Sequence, residues 1–223
     1  MSLGSLLPLR TDPRFFATLF RLALPIALQN LLASAVNLLD TVMVGSLGAS
    51  ELAAVGLGNQ VYFLLLILVF GISSGSGVFT AQYWGRKDDA GIKRTAGMAM
   101  TLGLGASLAF LTVSFAVPRL VLGLYSRDPV VLGLGAAYLR IAAWSFPAMA
   151  VSFAFSVALR GVERVRLPLA ATAVSLTANL VLNWILIFGR LGFPALGVAG
   201  AAWATVVSRW LEAAIVLGIS YAR

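Results

Sequence analysis

The 223-residue chain is 60% hydrophobic and 11% charged, with a net charge of +8 and neither Cys nor His. A soluble domain carries about 25% charged residues, so the deficit places the chain in a membrane and leaves no stretch for a soluble catalytic domain; no enzyme activity is expected. The lack of Cys excludes disulfides and thiol chemistry, and the basic residues form short clusters between apolar runs, the pattern of membrane orientation and not of a nucleic-acid face.

Apolar runs of about 20 residues recur, enough at helical rise to cross the hydrocarbon layer. The short alternating segments of a β-barrel are absent. The chain therefore reads as an all-α membrane protein with six transmembrane helices. Residues 1–14 form a cytoplasmic amphipathic N-terminus; from Ser5 to Phe20 apolar and basic residues alternate, as in a segment lying along the inner surface. The first span, Phe15 to Val44, is too long for a signal-peptide core and no cleavage site follows it, so it is expected to be retained. The second covers Leu52 to Ala81 and the third Thr95 to Leu122. The fourth covers Val130 to Leu159, the fifth Leu167 to Phe188 and the sixth Val198 to Ile219. Pro25 and Pro147 are expected to kink the first and fourth spans. Gly71, Gly75 and Gly77 form a small-residue face on the second span, and Gly197, Gly200 and Ala201 another on the sixth; such faces let helices approach closely.

Cationic residues set the expected orientation. One side receives Arg10, Arg14, Arg21, Arg86, Lys87, Lys93, Arg94, Arg160, Arg164, Arg166 and Arg223; the other receives Arg119, Arg127, Arg140 and Arg190. Eleven against four fits a bacterial-type inner (plasma) membrane protein with both termini cytoplasmic.

Few polar residues fall inside the spans. Asp40 is foremost, because a carboxylate at mid-membrane costs about 2.5–3.5 kcal/mol and is kept where it faces a polar cavity or a partner. Asn37 lies three residues before it on the same face. Asp40 is about 6 Å below the outer boundary at helical rise, and Asn183 on the fifth span about 9 Å. Asn179 shares the face of Asn183. A carboxylate flanked by carboxamides can hold a proton or coordinate a cation such as Na⁺ through oxygen; the asparagines could equally join helices by interhelical hydrogen bonds. Tyr138 on the fourth span is either an interfacial anchor or a cavity wall. Arg209 and Glu212, three apart on the sixth span, form a possible intramembrane pair, structural or engaged in coupling or partner docking. No metal-ligand cluster or nucleophile–base set is present. The segment Gly71–Gly77 lacks the Lys and spacing of a phosphate loop. No cofactor is expected, and any active transport must draw on an ion gradient of H⁺ or Na⁺.

Several of these stretches resemble the multidrug and toxic compound extrusion (MATE) transporters. Leu24-Pro25-Ile26-Ala27, then Asp40-Thr41-Val42-Met43-Val44-Gly45 and Leu47-Gly48, look like the family's opening. Ala81-Gln82-Tyr83-Trp84-Gly85, Arg160-Gly161, the run Asn179 to Gly189 and the run Gly197 to Thr205 are similar to later segments, in order. The resemblance implies an antiporter exporting organic cations and drugs in exchange for H⁺ or Na⁺. It implies an ion-coupling site in the N-terminal lobe, with Asp40 at the first-helix aspartate position and Asn179 at the fifth-helix asparagine; Asn37 and Tyr138 are further assignments. At Asn183 some relatives carry a second aspartate, and this chain does not. The family has twelve helices in two lobes. Residues 15–223 would supply the N-terminal six-helix lobe, with the C-terminal lobe absent from this chain. Its expected partners are membrane lipid, the missing C-terminal lobe or a second chain, and a small organic cation, with no nucleic acid.

Two alternatives stay open. One is a lipid-linked precursor flippase of the same superfamily, which would need several deep cations; Arg209 and Arg140 are the available ones. The other is a non-transporting membrane assembly partner.

Overall fold

A computed structural model describes residues 13–221. The expected surface segment 1–14 lies outside the described residues except for Pro13 and Arg14, which open the first helix, and Arg10 and Arg223 lie outside them as well. Eight helices follow in chain order: α1 (Pro13–Gly45), α2 (Ala49–Gly85), α3 (Asp89–Ala116), α4 (Pro118–Leu122), α5 (Pro129–Ala142), α6 (Phe146–Gly161), α7 (Arg166–Phe188) and α8 (Val198–Tyr221). Among the described residues, six stretches are long and apolar enough to cross a membrane: Leu19–Gly45, Ala49–Gly85, Asp89–Ala116, Pro129–Gly161, Arg166–Phe188 and Val198–Gly218. Large apolar side chains such as Leu24, Leu31, Phe63, Phe70 and Leu102 are exposed, which fits a lipid surround and would be a liability in water.

The third span differs from its predicted limits at both ends. It starts six residues early, at Asp89, because Asp88 caps it by accepting from the Gly91 N–H at 2.9 Å, so the stretch Asp89 to Arg94 joins the helix as its first turns. It stops at Ala116 because Val117 precedes Pro118 and is forced out of the helical region. The fourth span is not one helix. A 3-10 turn at Ala143–Ser145 separates α5 from α6, just before Pro147, which cannot donate to the preceding turn. The break between α4 and α5 is built by Asp128, whose carboxylate accepts from the Val130 N–H at 2.8 Å. Pro25, by contrast, lies inside a continuous α1.

The bundle pairs α7 with α8 and with α1, while α2 packs on α3, α5 and α6. One apolar cluster holds Leu65, Val69, Leu122, Leu139 and Phe146; a second, at the Gly45 end, holds Val44, Tyr138, Ile187, Val198 and Ala202. Close approaches fall at particular glycines. A Cβ at Gly58 would lie 2.5 Å from the Tyr138 ring, and one at Gly200 would lie 2.6 Å from the Leu186 backbone. The predicted small-residue face of the second span is only partly a contact: Gly77 abuts Val157, but a Cβ at Gly71 or Gly75 would meet nothing within 4 Å. Glycine spacing marks where a helix could lie close, and no described helix lies there.

Candidate functional site: a carboxylate–carboxamide cluster in a membrane cavity

The first and seventh helices bring Asp40 and Asn183 together. Asn183 Nδ2 donates to Asp40 Oδ1 and also to Asn179 Oδ1 at 3.2 Å. Asn179 and Asn183 are buried, and Asp40 is half-buried. The four-residue spacing on α7 stacks both carboxamides on one face. Asn183 Oδ1 is buried with no hydrogen-bond partner. A buried acceptor left unpaired is costly, and here it lies on the same amide that holds the carboxylate.

Asp40 opens onto a cavity of about 590 Å³ walled by α1, α2, α5, α7, α8 and the start of α6. Asn37 and Tyr138 line this cavity without bonding to the carboxylate. Asn37 is exposed. Tyr138 is buried over Gly58, so it is a wall and not an interfacial anchor; its hydroxyl donates to Asn59 Oδ1 at 3.4 Å. Arg209 also lines the cavity. Its Nη1 donates to Glu212 Oε2 at 2.9 Å, the pair that the three-residue spacing predicts, and its guanidinium lies 6.0 Å from the Tyr62 ring centre. Arg140 is exposed and is not a lining residue.

Sequence reasoning missed a second polar cluster, nearer the Gly85 end. Gln29 Nε2 donates to Thr172 Oγ1 at 2.7 Å, and Gln29 Oε1 accepts from Arg160 Nη2 at 2.7 Å. Thr172 Oγ1 donates in turn to Glu212 Oε1 at 2.7 Å. Four helices, α1, α6, α7 and α8, meet in this chain of bonds. The available signal was Gln29 itself, an uncharged polar residue inside an apolar run. From sequence Arg160 counts only as an orienting cation; in the structure its Nη2 turns inward to Gln29.

Comparison with known proteins gives this arrangement a family. The MatE family model matches residues 25–185. The chain belongs to the MatE family. It is 34% identical over 207 residues to a probable multidrug resistance protein NorM of Rhizobium meliloti, covering 92% of this chain and 44% of the relative. It is 33% identical to the probable multidrug resistance protein YoeA of Bacillus subtilis, covering 89% of this chain and 43% of that one. Among solved structures, a MOP superfamily transporter from Pyrococcus furiosus superposes with a TM-score of 0.81 at 25% identity, covering 92% of this chain and 44% of that chain. An outward-facing multidrug resistance MATE family transporter gives a TM-score of 0.80 at 26% identity, with the same coverage. This MatE chain thus spans under half the length of the relatives it matches, as one six-helix lobe does. It is a multi-pass membrane protein of a transporter family.

Proposed function

We propose that this chain is a lobe of a secondary antiporter that exports organic cations and drugs in exchange for H⁺ or Na⁺, with both termini cytoplasmic. The observation that carries this reading is Asp40, held by a buried carboxamide at the wall of a cavity within membrane depth. An ionised carboxylate takes the N–H edge of Asn183, while the unpartnered Oδ1 edge of the same amide is an oxygen ligand free for a cation. Proton or Na⁺ loading at Asp40 competes with the Asn183 hydrogen bond and so changes how α1 is held against α7. Asn179 completes the pocket, Tyr138 walls it, and Asn37 shapes its mouth. The cavity's aromatic walls, Tyr62, Phe63 and Phe146, suit an organic cation. A second lobe, on another chain or the rest of a longer one, would close the open side and complete the substrate chamber. The flippase alternative needs several cavity cations; Arg209 is a single one, neutralised by Glu212.

The test is gradient-driven efflux of a fluorescent organic cation from proteoliposomes holding the assembled transporter. Asp40→Asn is expected to reduce coupled efflux at least tenfold while leaving the protein folded. Full gradient-dependent efflux in that variant removes Asp40 from the mechanism.

A further inference from the structure

Helix α1 buries little of its apolar length: between Leu19 and Gly45, Gln29 and Val44 are the buried residues, so polar contacts weigh heavily in where it sits. Among the described residues, two polar contacts join it to α7. One is Asp40 with Asn183; the other is Gln29 with Thr172. Each pair is separated by the same 143 positions, so Gln29 and Asp40 are eleven residues apart, and so are Thr172 and Asn183. Eleven residues make about three turns and about 16 Å of helix. Both contacts therefore recur on one face of each helix, like two rungs between parallel rails.

The rungs differ in chemistry. The Asp40 rung depends on a group that can gain a proton or a cation. The Gln29 rung is a neutral amide with both of its edges satisfied, by Thr172 and by Arg160. Through Thr172 it reaches Glu212 and then Arg209, which lines the Asp40 cavity. A buried amide with both edges matched is specific about position, because a shift by one residue would leave donors and acceptors unpaired.

We propose that Gln29 is a positioning residue for the Asp40 site: it fixes the register of α1 on α7, so that Asp40 returns to Asn183 each time its cation leaves. The proposal rests on Asp40 being the ion site. Gln29 touches neither the ion nor the substrate. Proton conduction along the cluster is a poor alternative, because an amide and a guanidinium lie in the path and neither is a ready relay.

The experiment uses the full chain in lipid nanodiscs. The chain has no Cys, so Ser46→Cys at the Gly45 end of α1 and Arg127→Cys in the exposed α4–α5 loop give one unique spin-label pair. Distance distributions are recorded across pH and with added sodium. The titratable or charged groups facing Asp40 are Tyr62 of α2, Tyr138 of α5 and Arg209 of α8, with Glu212 behind Arg209; α7 offers carboxamides. The expected background is a distance that responds to pH or sodium and loses that response in Asp40→Asn. Gln29→Met and Thr172→Val are each expected to broaden the distribution and displace the midpoint by a factor of ten or more in ion concentration. Thr172→Ser, which keeps the hydroxyl, should restore the wild-type midpoint, and Gln29→Met should add nothing to the ion response in the Asp40→Asn background. Midpoints unchanged in both Gln29→Met and Thr172→Val overturn the inference and leave the Asp40 reading standing. A response that survives Asp40→Asn, or a wild-type distance indifferent to both ions, overturns that reading and this inference together.

Discussion

Replacing Glu212 should be the most damaging single change in the Gln29–Arg160–Thr172–Glu212–Arg209 cluster. Its side chain is 8% exposed, against 27% for Arg209. It accepts from Thr172 at 2.7 Å and from Arg209 at 2.9 Å. Glu212→Leu removes both acceptors and leaves a guanidinium facing apolar surroundings. Breaking a buried pair by deleting one partner costs about 3–5 kcal/mol. Arg209 reaches the cavity and can recover some hydration there, so we expect the lower end, about 3 kcal/mol. Removing both charges, as in Arg209→Met with Glu212→Leu, should cost less than Glu212→Leu alone, because no charge is then stranded. The assay is reversible unfolding in mixed detergent micelles, run as a double-mutant cycle. A Glu212→Leu loss below about 0.5 kcal/mol, the scatter typical of non-interacting sites, or a double variant no better than the single, would refute the reasoning.

Two further changes test packing and capping by the same unfolding measurement. Gly200→Ala should destabilise by about 1–3 kcal/mol, because its Cβ would press on the Leu186 backbone and not on a movable side chain. Gly71→Ala, at a helical position with open space around it, should be neutral or stabilising by up to about 1 kcal/mol. Asp128→Ala should cost about 1 kcal/mol through the lost cap of α5.

The spans were legible because twenty-odd apolar residues between turn signals have few other uses. The meeting of Asp40 with Asn183 was legible for a related reason: helical rise alone puts both at similar depth. Where the expectation slipped, a local competitor won. Asp88 began α3 early by capping it and Pro118 ended it early, whereas the kink expected at Pro147 is present as a break in the fourth span and Pro25 does not interrupt α1. The Gln29 cluster was not legible from local pattern. Gln29 and Thr172 are 143 residues apart, and nothing in either neighbourhood names the other. The inward bond of Arg160 was not legible either, because a cation near the end of a span is equally suited to lipid headgroups and to an inward amide. Gly71 and Gly75 show the converse limit, since spacing describes a face and says nothing of whether anything covers it.

Helix α2 has 37 residues, about 55 Å at helical rise, against a hydrocarbon layer of about 30 Å. It is a long lever. Near one end it supplies Asn59, Tyr62 and Phe63 to the cavity; at the other it carries Tyr83 and Trp84. A swing of about 10° around its midpoint would carry each tip about 5 Å in opposite directions. In the proposed transporter, small adjustments around a bound cargo would be magnified at the far membrane surface, where they would become movements large enough to reshape a doorway.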